Sequence, residues 1–357
     1  MVKLVLATML IATWLVQCGG DPDLNDTDQN GCPIAHTVPA SAGVKPPTVR
    51  VGVTGALNES ASYLAEAEGY FAQQGLSVQL VNFIASTRMV PALASGQIEV
   101  ASGVVGPSLF TVQQGSLCVK LVAGSARQEP NANGLFLFAR KDLIDSGQLR
   151  TYADLKGAHV AVPARDGASD YAVAKLLEAG GLARTDATIV QMGYPGTLVG
   201  LANKSVDVAL LPESQASAAV DRGLGVKWKA LSDVLPDLQS GVVLYSPKFA
   251  AEKDLGARWM AAYLQGARDY DDAFFRGLRR GQIVDQLVKT TPLKDSKTYD
   301  EIEYPYIDPN GGLNVGSVQD QMNWFLQAGQ LREPGNLGQI MDMSFVDEAL
   351  ARVGTYP

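Results

Sequence analysis

Apolar positions along the chain switch repeatedly between an alternating and a helical period. Thr48-Val-Arg-Val-Gly-Val53 is a β-branched run ending at Thr54-Gly55 and predicts a strand followed by a loop. From Ser60 to Gln74 the residues Leu64, Ala67 and Phe71 share one helical face, and Gly75 supplies a stop. Leu76 to Val81 predicts a second strand, Thr87 to Ala94 a second helix, and Ile98 to Ser102 a third strand. The same order returns about 108 positions later. His159 to Pro163 reads as a strand, Ser169 to Ala179 as a helix stopped by Gly180-Gly181, and Thr188 to Gln191 as a strand. A helix over Thr197 to Asn203 and a strand over Val206 to Leu211 complete the second unit, and Glu99 of the first falls where Asp207 falls in the second.

Strands alternating with helices, without two-residue hairpin turns, predict parallel sheets with right-handed crossovers. Two such units predict two similar α/β lobes. Their Gly- and Ser-containing loops lie at the carboxyl ends of strands, beside helix N-termini whose unpaired N–H groups collect polar ligands. Val122 to Asn133 reads as the first crossing between lobes and Ser240 to Pro247 as the return. The helix-rich C-terminal third is expected to complete the first lobe.

The first residues add a destination. Leu4 to Val16 is almost wholly apolar, preceded by Lys3, and is too short to cross about 30 Å of hydrocarbon but long enough for a signal-peptide core. Leu15-Val16-Gln17-Cys18 resembles a bacterial lipobox, with Gln17 in place of a small residue. The resemblance implies lipidation at Cys18; a plain secretory signal is the alternative. Asp21 to Gly31 and the Pro-rich Pro39 to Pro47 read as a solvated tether. Asp26-Thr-Asp-Gln-Asn-Gly31 fits half a calcium loop, but Thr37 stands where the bidentate Glu belongs, so a tether is the simpler reading. The expected organisation is 1–18 signal and lipobox, 19–47 tether, 48–126 with 245–357 the first lobe, and 127–244 the second. Cys32 and Cys118 remain after Cys18 is assigned, and an oxidising compartment leaves two readings open, a disulfide between them or two free thiols.

Composition narrows the chemistry. The 357 residues carry 29 Lys plus Arg against 37 Asp plus Glu, a net charge of −8 without basic runs, which argues against nucleic acid. Two histidines and no CxxC spacing leave little for a metal site, and no GxSxG, HExxH or GxxxxGK motif is present. No enzyme, metal or cofactor is expected.

Several segments together carry a family likeness. Glu68-Gly-Tyr-Phe-Ala-Gln-Gln-Gly-Leu76, Ala92 to Ala101, Asp154 to Pro163, Leu176 to Leu182, Val206-Asp-Val-Ala209 with Pro212-Glu213, and Ser344 to Leu350 stand in the order seen in one group of binding proteins. The chain resembles ABC-transporter periplasmic substrate-binding proteins of the sulfonate/nitrate/taurine family, which includes the THI5-like pyrimidine-binding members. That resemblance covers roughly residues 48 to 354. It implies a periplasmic-binding-protein-like α/β fold (type II), two Rossmann-like lobes around a ligand cleft. It also implies a monomer that captures a small polar organic solute, sulfonate-, taurine- or nitrate-like, and delivers it to the permease of an ABC importer. A thiamine-precursor pyrimidine ligand, a sensor without transport and an extracellular scavenger are the alternatives.

The candidate ligand residues lie in the strand-to-helix loops. Asn58, Glu59 and Ser60 surround the first helix start, where Ser60 could equally be a simple N-cap. Arg88 could clamp a sulfonate or carboxylate, or sit solvated in a first turn. Ser102-Gly103 is expected just after the third strand, exposing backbone N–H groups. In the second unit the candidates are Ser169, with Arg165 and Asp166 before it, then Tyr194 and Glu213. Trp228, Trp324 and Phe325 read as core, and His159 as structural.

Overall fold

The computed structural model describes residues 46–84, 86–111, 118–130, 132–163, 165 and 167–357. The signal segment, Cys18, the tether, Cys32 and Asp166 lie outside the described residues. The first unit runs β1 (Thr48–Val53), α1 (Ser60–Ala67), α2 (Tyr70–Gln73), β2 (Ser77–Asn82), α3 (Met89–Ala94), β3 (Val100–Val104), α4 (Pro107–Thr111) and β4 (Lys120–Arg127). The second runs β5 (Leu135–Arg140), α5 (Lys141–Asp145), β6 (His159–Val162), α6 (Ala168–Ala179), β7 (Thr188–Gln191), α7 (Tyr194–Ala202), β8 (Val208–Pro212), α8 (Glu213–Asp221) and β9 (Gly225–Ala230). The chain then returns through β10 (Gln239–Tyr245), α9 (Pro247–Ala251), α10 (Lys253–Phe274), α11 (Arg280–Thr290), α12 (Thr298–Glu301), α13 (Val315–Gln327), α14 (Leu337–Ile340) and α15 (Ser344–Val353).

Two five-stranded sheets result, ordered β2-β1-β3-β10-β4 and β7-β6-β8-β5-β9. They match position for position. β1 pairs parallel with β2 and β3, as β6 does with β7 and β8. The expectation of purely parallel sheets fails at one position in each. β10 runs antiparallel to β3 and β4, and β5 antiparallel to β8 and β9. Each is the strand that arrives from a crossing, so it enters its sheet against the direction of the resident strands. The crossings also lie elsewhere than expected. Val122 to Arg127 belongs to β4, and Ser240 to Tyr245 to β10, so the crossings are 128–134 and 231–238. The expected boundary at 244/245 therefore falls inside a strand of the first sheet.

The repeat extends to its hydrogen bonds. Glu99 donates its N–H to the Arg50 carbonyl at 2.9 Å and accepts the Arg50 N–H on its carboxylate at 2.7 Å. Asp207 does the same for His159, at 3.0 and 2.9 Å. Both carboxylates pin the start of a central strand and also hold an arginine, Arg50 in one unit and Arg140 in the other.

The single helix expected over Ser60 to Gln74 is broken at Gly69, whose φ of 77° lies in the left-handed region that glycine tolerates without cost. One face of the first sheet is covered by α1 and by α10, which buries Trp259, Tyr263 and Tyr270 along one stripe. The two helices approach so closely that a Cβ at Gly266 would collide with the Ala61 carbonyl oxygen. The other face shares a continuous core with the second sheet: Met89, Phe110, Val160, Tyr171 and Leu177 all join Val318, Met322 and Phe325 of α13. Thus α13 braces both lobes. Tyr171 donates to Asp320 at 2.6 Å and packs edge-on against Trp324 at 5.7 Å between centroids. The crossings are tied together by the Gln128 N–H on the Leu238 carbonyl at 2.9 Å, and by Ser232 on Asn133.

Candidate functional site

In each sheet the loops leaving the carboxyl ends of the parallel strands hold most of the expected ligand residues. The best-defined follows β1. Glu59 is 2% exposed, and its carboxylate accepts the N–H groups of Thr54, Gly55 and Ala56 at 2.8–3.1 Å and the Thr54 hydroxyl at 2.9 Å. It is the third residue of a helical turn entered at Ala56, the position from which a Glu reaches back to the preceding N–H groups. No lysine or arginine pairs with it among the described residues, and burial pushes its pKa up to about 7 against those hydrogen bonds. Ser60 is buried and donates to the Leu57 carbonyl at 2.6 Å. Asn58, half-buried, makes no side-chain hydrogen bond among the described residues. Glu59 and Ser60 thus hold the loop's shape, and Asn58 is the candidate there with free donors and acceptors.

Beyond β2, Arg88 is exposed at the end of a single helical turn and has no ion pair among the described residues. Ile84, in the same loop, is 97% exposed. It was not singled out from the sequence, where it reads as the tail of an apolar strand.

Ser102 and Gly103 are not in a loop. β3 continues to Val104, so Ser102 is buried within the sheet with its hydroxyl 3.4 Å from that of Ser125. Gly241 of the intervening β10 leaves room for that contact, since a Cβ there would stand 2.6 Å from Ser125 Oγ. The Gly103 Cα faces Leu244, and the loop itself begins at Val105-Gly106.

In the second unit Glu213 is 1% exposed at the first residue of α8. It is paired with Lys227 and accepts from Ser217 at 3.1 Å. Ser169 lies half-buried in the first turn of α6, and Arg165 before it is exposed without an ion pair among the described residues. Tyr194 opens α7, half-buried against the apolar cluster that includes Leu201 and Ala209, and burial raises its hydroxyl pKa. His159 and Trp228, Trp324 and Phe325 serve as strand or core residues.

Among the described residues no group of His, Cys, Asp or Glu could hold a metal ion, and no helix is long and apolar enough to cross a membrane. A surface cavity of about 340 Å³ lies at the opposite end of the second sheet, between Arg140, Asp142 and Lys204. Those charges pair with one another, so it offers nothing unspent. Cys118 is disulfide-bonded.

A protein-family model described as NMT1/THI5 like matches residues 57–271. The chain belongs to that family. A riboflavin-binding protein of Chloroflexus aurantiacus, RibY, is 26% identical over 297 residues, 80% of this chain and 81% of the relative. The periplasmic aliphatic sulphonate binding protein SsuA of Escherichia coli superposes with a TM-score of 0.65 at 21% identity, covering 82% of this chain and 91% of that one. The desulfurization enzyme DszB superposes with a TM-score of 0.59 at 16% identity, over 86% of this chain and 99% of its own. The fold is therefore that of periplasmic binding proteins, and it carries enzymes as well.

Proposed function

We propose that this protein is the exported solute-binding component of an ABC importer and that its ligand is a heteroaromatic solute of the riboflavin class. The observation that carries the reading is the duplicated β-α-β-α-β unit, joined by two tied crossings. Each unit ends its parallel strands in loops, and two lobes hinged at such crossings can close on a solute and present the closed form to a permease. Because fold alone does not choose the ligand, the choice rests on the relative matched across 80% of the chain, the riboflavin-binding one. The loops suit it: the Tyr194 ring and the exposed Ile84 offer apolar surface, and Asn58 and Ser169 offer uncharged polar groups. The reading assigns no reaction to the protein.

Lipidation at Cys18, monomeric behaviour and a Cys32–Cys118 bond belong to the same proposal. Palmitate labelling that survives Cys18→Ser would remove the anchor, and peptide mapping that joins Cys118 to Cys18 would remove the expected pairing. A thermal-shift screen of the purified protein against flavins, pyrimidines, sulfonates, taurine and nitrate tests the ligand. A ligand at 100 times its Kd adds about 2.7 kcal/mol, so riboflavin is expected to raise Tm in a dose-dependent way. No shift with any flavin or pyrimidine sinks the heteroaromatic choice.

A further inference from the structure

We propose that Glu59 is a specificity-determining residue that bars oxyanions from the first-lobe site, so that this protein takes neither nitrate nor sulfonates. The inference rests on the solute-binding reading but is independent of which neutral solute is bound. A loop after a parallel strand holds an oxyanion by pointing successive backbone N–H groups at it. Here those groups exist, at Thr54, Gly55 and Ala56, and all three already point at the Glu59 carboxylate, joined by the Thr54 hydroxyl. The site is an oxyanion nest filled by the protein's own side chain.

Geometry makes the filling permanent. Glu59 is three to five residues from its donors along the chain, and its side chain is 2% exposed. Its effective concentration at the nest is that of an intramolecular ligand, in the millimolar range or above for such short tethers. Displacing it by a solute would also leave a buried carboxylate without partners, which is costly. Whether Glu59 carries its proton or not, its oxygens occupy the donors. The second lobe repeats the theme at α8, where the buried Glu213 places a carboxylate at the helix start and consumes Lys227 and the Ser217 hydroxyl. Arg88 and Arg165 remain as exposed cations without ion pairs among the described residues. In water they attract an anion weakly and do not replace an enclosed set of N–H donors.

The test is calorimetric titration of the intact protein with nitrate, propanesulfonate, taurine and riboflavin, repeated on Glu59→Ala. The wild-type protein is expected to bind none of the three small solutes up to about 10 mM. In Glu59→Ala the vacated N–H groups accept an external anion, so acetate or nitrate at 10–100 mM is expected to raise the variant's Tm and leave the wild type unmoved, with chloride at equal ionic strength as control. Nitrate, propanesulfonate or taurine binding to the wild type below about 10 mM overturns the inference, whatever riboflavin does. Should Glu59→Ala fail to fold, the wild-type titrations still decide. Absence of riboflavin binding together with absence of anion binding leaves the inference standing and overturns only the choice of ligand.

Discussion

The two lobes share a plan down to single hydrogen bonds and differ in what has been added to it. Glu99 and Asp207 pin their strands through the same two contacts, one backbone N–H donated and one accepted on the carboxylate, and the two crossings each deliver one antiparallel strand. The additions separate them. The first sheet is backed by the 22-residue α10, with α11 and α15, around Trp259, Tyr263 and Phe345. Among the described residues the second sheet's outer face has only α7 and α8 over a small cluster that includes Phe136 and Leu211. A buried carboxylate in each lobe shows the same divergence. Glu213 has a cationic partner in Lys227, whereas among the described residues Glu59 is held by backbone N–H groups and a hydroxyl alone. The duplicated unit sets the frame, and the unshared additions set rigidity and charge.

The sharpest way to break this asymmetry is in the helices. Gly266→Ala is expected to cost about 3 kcal/mol or more, because the new methyl meets the Ala61 carbonyl and the Ala65 N–H and must push α10 off α1. Gly196→Ala in α7 is the control, since an added Cβ there meets nothing nearer than Met192 Cβ at 3.9 Å. It should be neutral or stabilising by up to about 1 kcal/mol, from helix propensity alone. Chemical denaturation reads both, and equal effects would remove the claim that α1 and α10 are in limiting contact.

Glu59 gives the next effect, visible as a pH dependence. Its pKa of about 7 in the folded protein stands above the ordinary carboxyl value of 4.5, so folding favours its protonated form. That stability is fully present below about pH 4.5 and is lost as pH rises through 7, for a total of about 3 kcal/mol. Glu59→Gln removes this proton linkage. The stability of the wild type relative to Glu59→Gln should therefore fall between pH 4.5 and 8, and a flat difference would show that the N–H groups hold the carboxylate ionised throughout.

Smaller again are the strand pins. Asp207→Ala should cost about 2 kcal/mol, because the Arg140 it holds is 8% exposed and loses one of its two carboxylates. Glu99→Ala should cost nearer 1 kcal/mol, since Arg50 is more exposed. The reverse ranking in urea denaturation would mean that the backbone pin, common to both, outweighs the ion pair.

How much of this could be read beforehand follows from how local each signal is. The repeat was legible because period and stop residues lie within single elements: Gly75, Gly180 and the β-branched strands were enough. β4 and β10 read as crossings on the sequence because Lys120–Arg127 and Gln239–Tyr245 owe their strand state to each other across the chain, and direction within a sheet leaves no mark on either segment alone. Ser102 and Gly103 read as the start of a loop for a related reason: β3 runs on to Val104 because β10 lies beside it. Glu59 falls after the first strand in sequence and structure alike, but whether its carboxylate turns outward or back onto Thr54 to Ala56 is decided by the backbone. Its position three residues after Ala56, where a Glu can reach back to the preceding N–H groups, was the available sign.

The smallest expected effect concerns what joins the lobes rather than what distinguishes them. α13 belongs to the return segment, yet its Asp320 accepts from Tyr171 of α6 at 2.6 Å, and Gln330 just beyond it donates to Asp170 at 3.2 Å. Removing only the hydroxyl, Tyr171→Phe keeps the ring against Trp324 and Phe325. It should therefore cost about 1 kcal/mol, the ordinary worth of one hydrogen bond. If the two lobes unfold as one unit through this brace, the single denaturation transition should shift without splitting. A second transition appearing in Tyr171→Phe would show that the hydroxyl, more than the shared apolar core around Phe325, couples the lobes. With the Tyr171 ring 2% exposed and packed into that core, the core is expected to dominate and the transition to stay single.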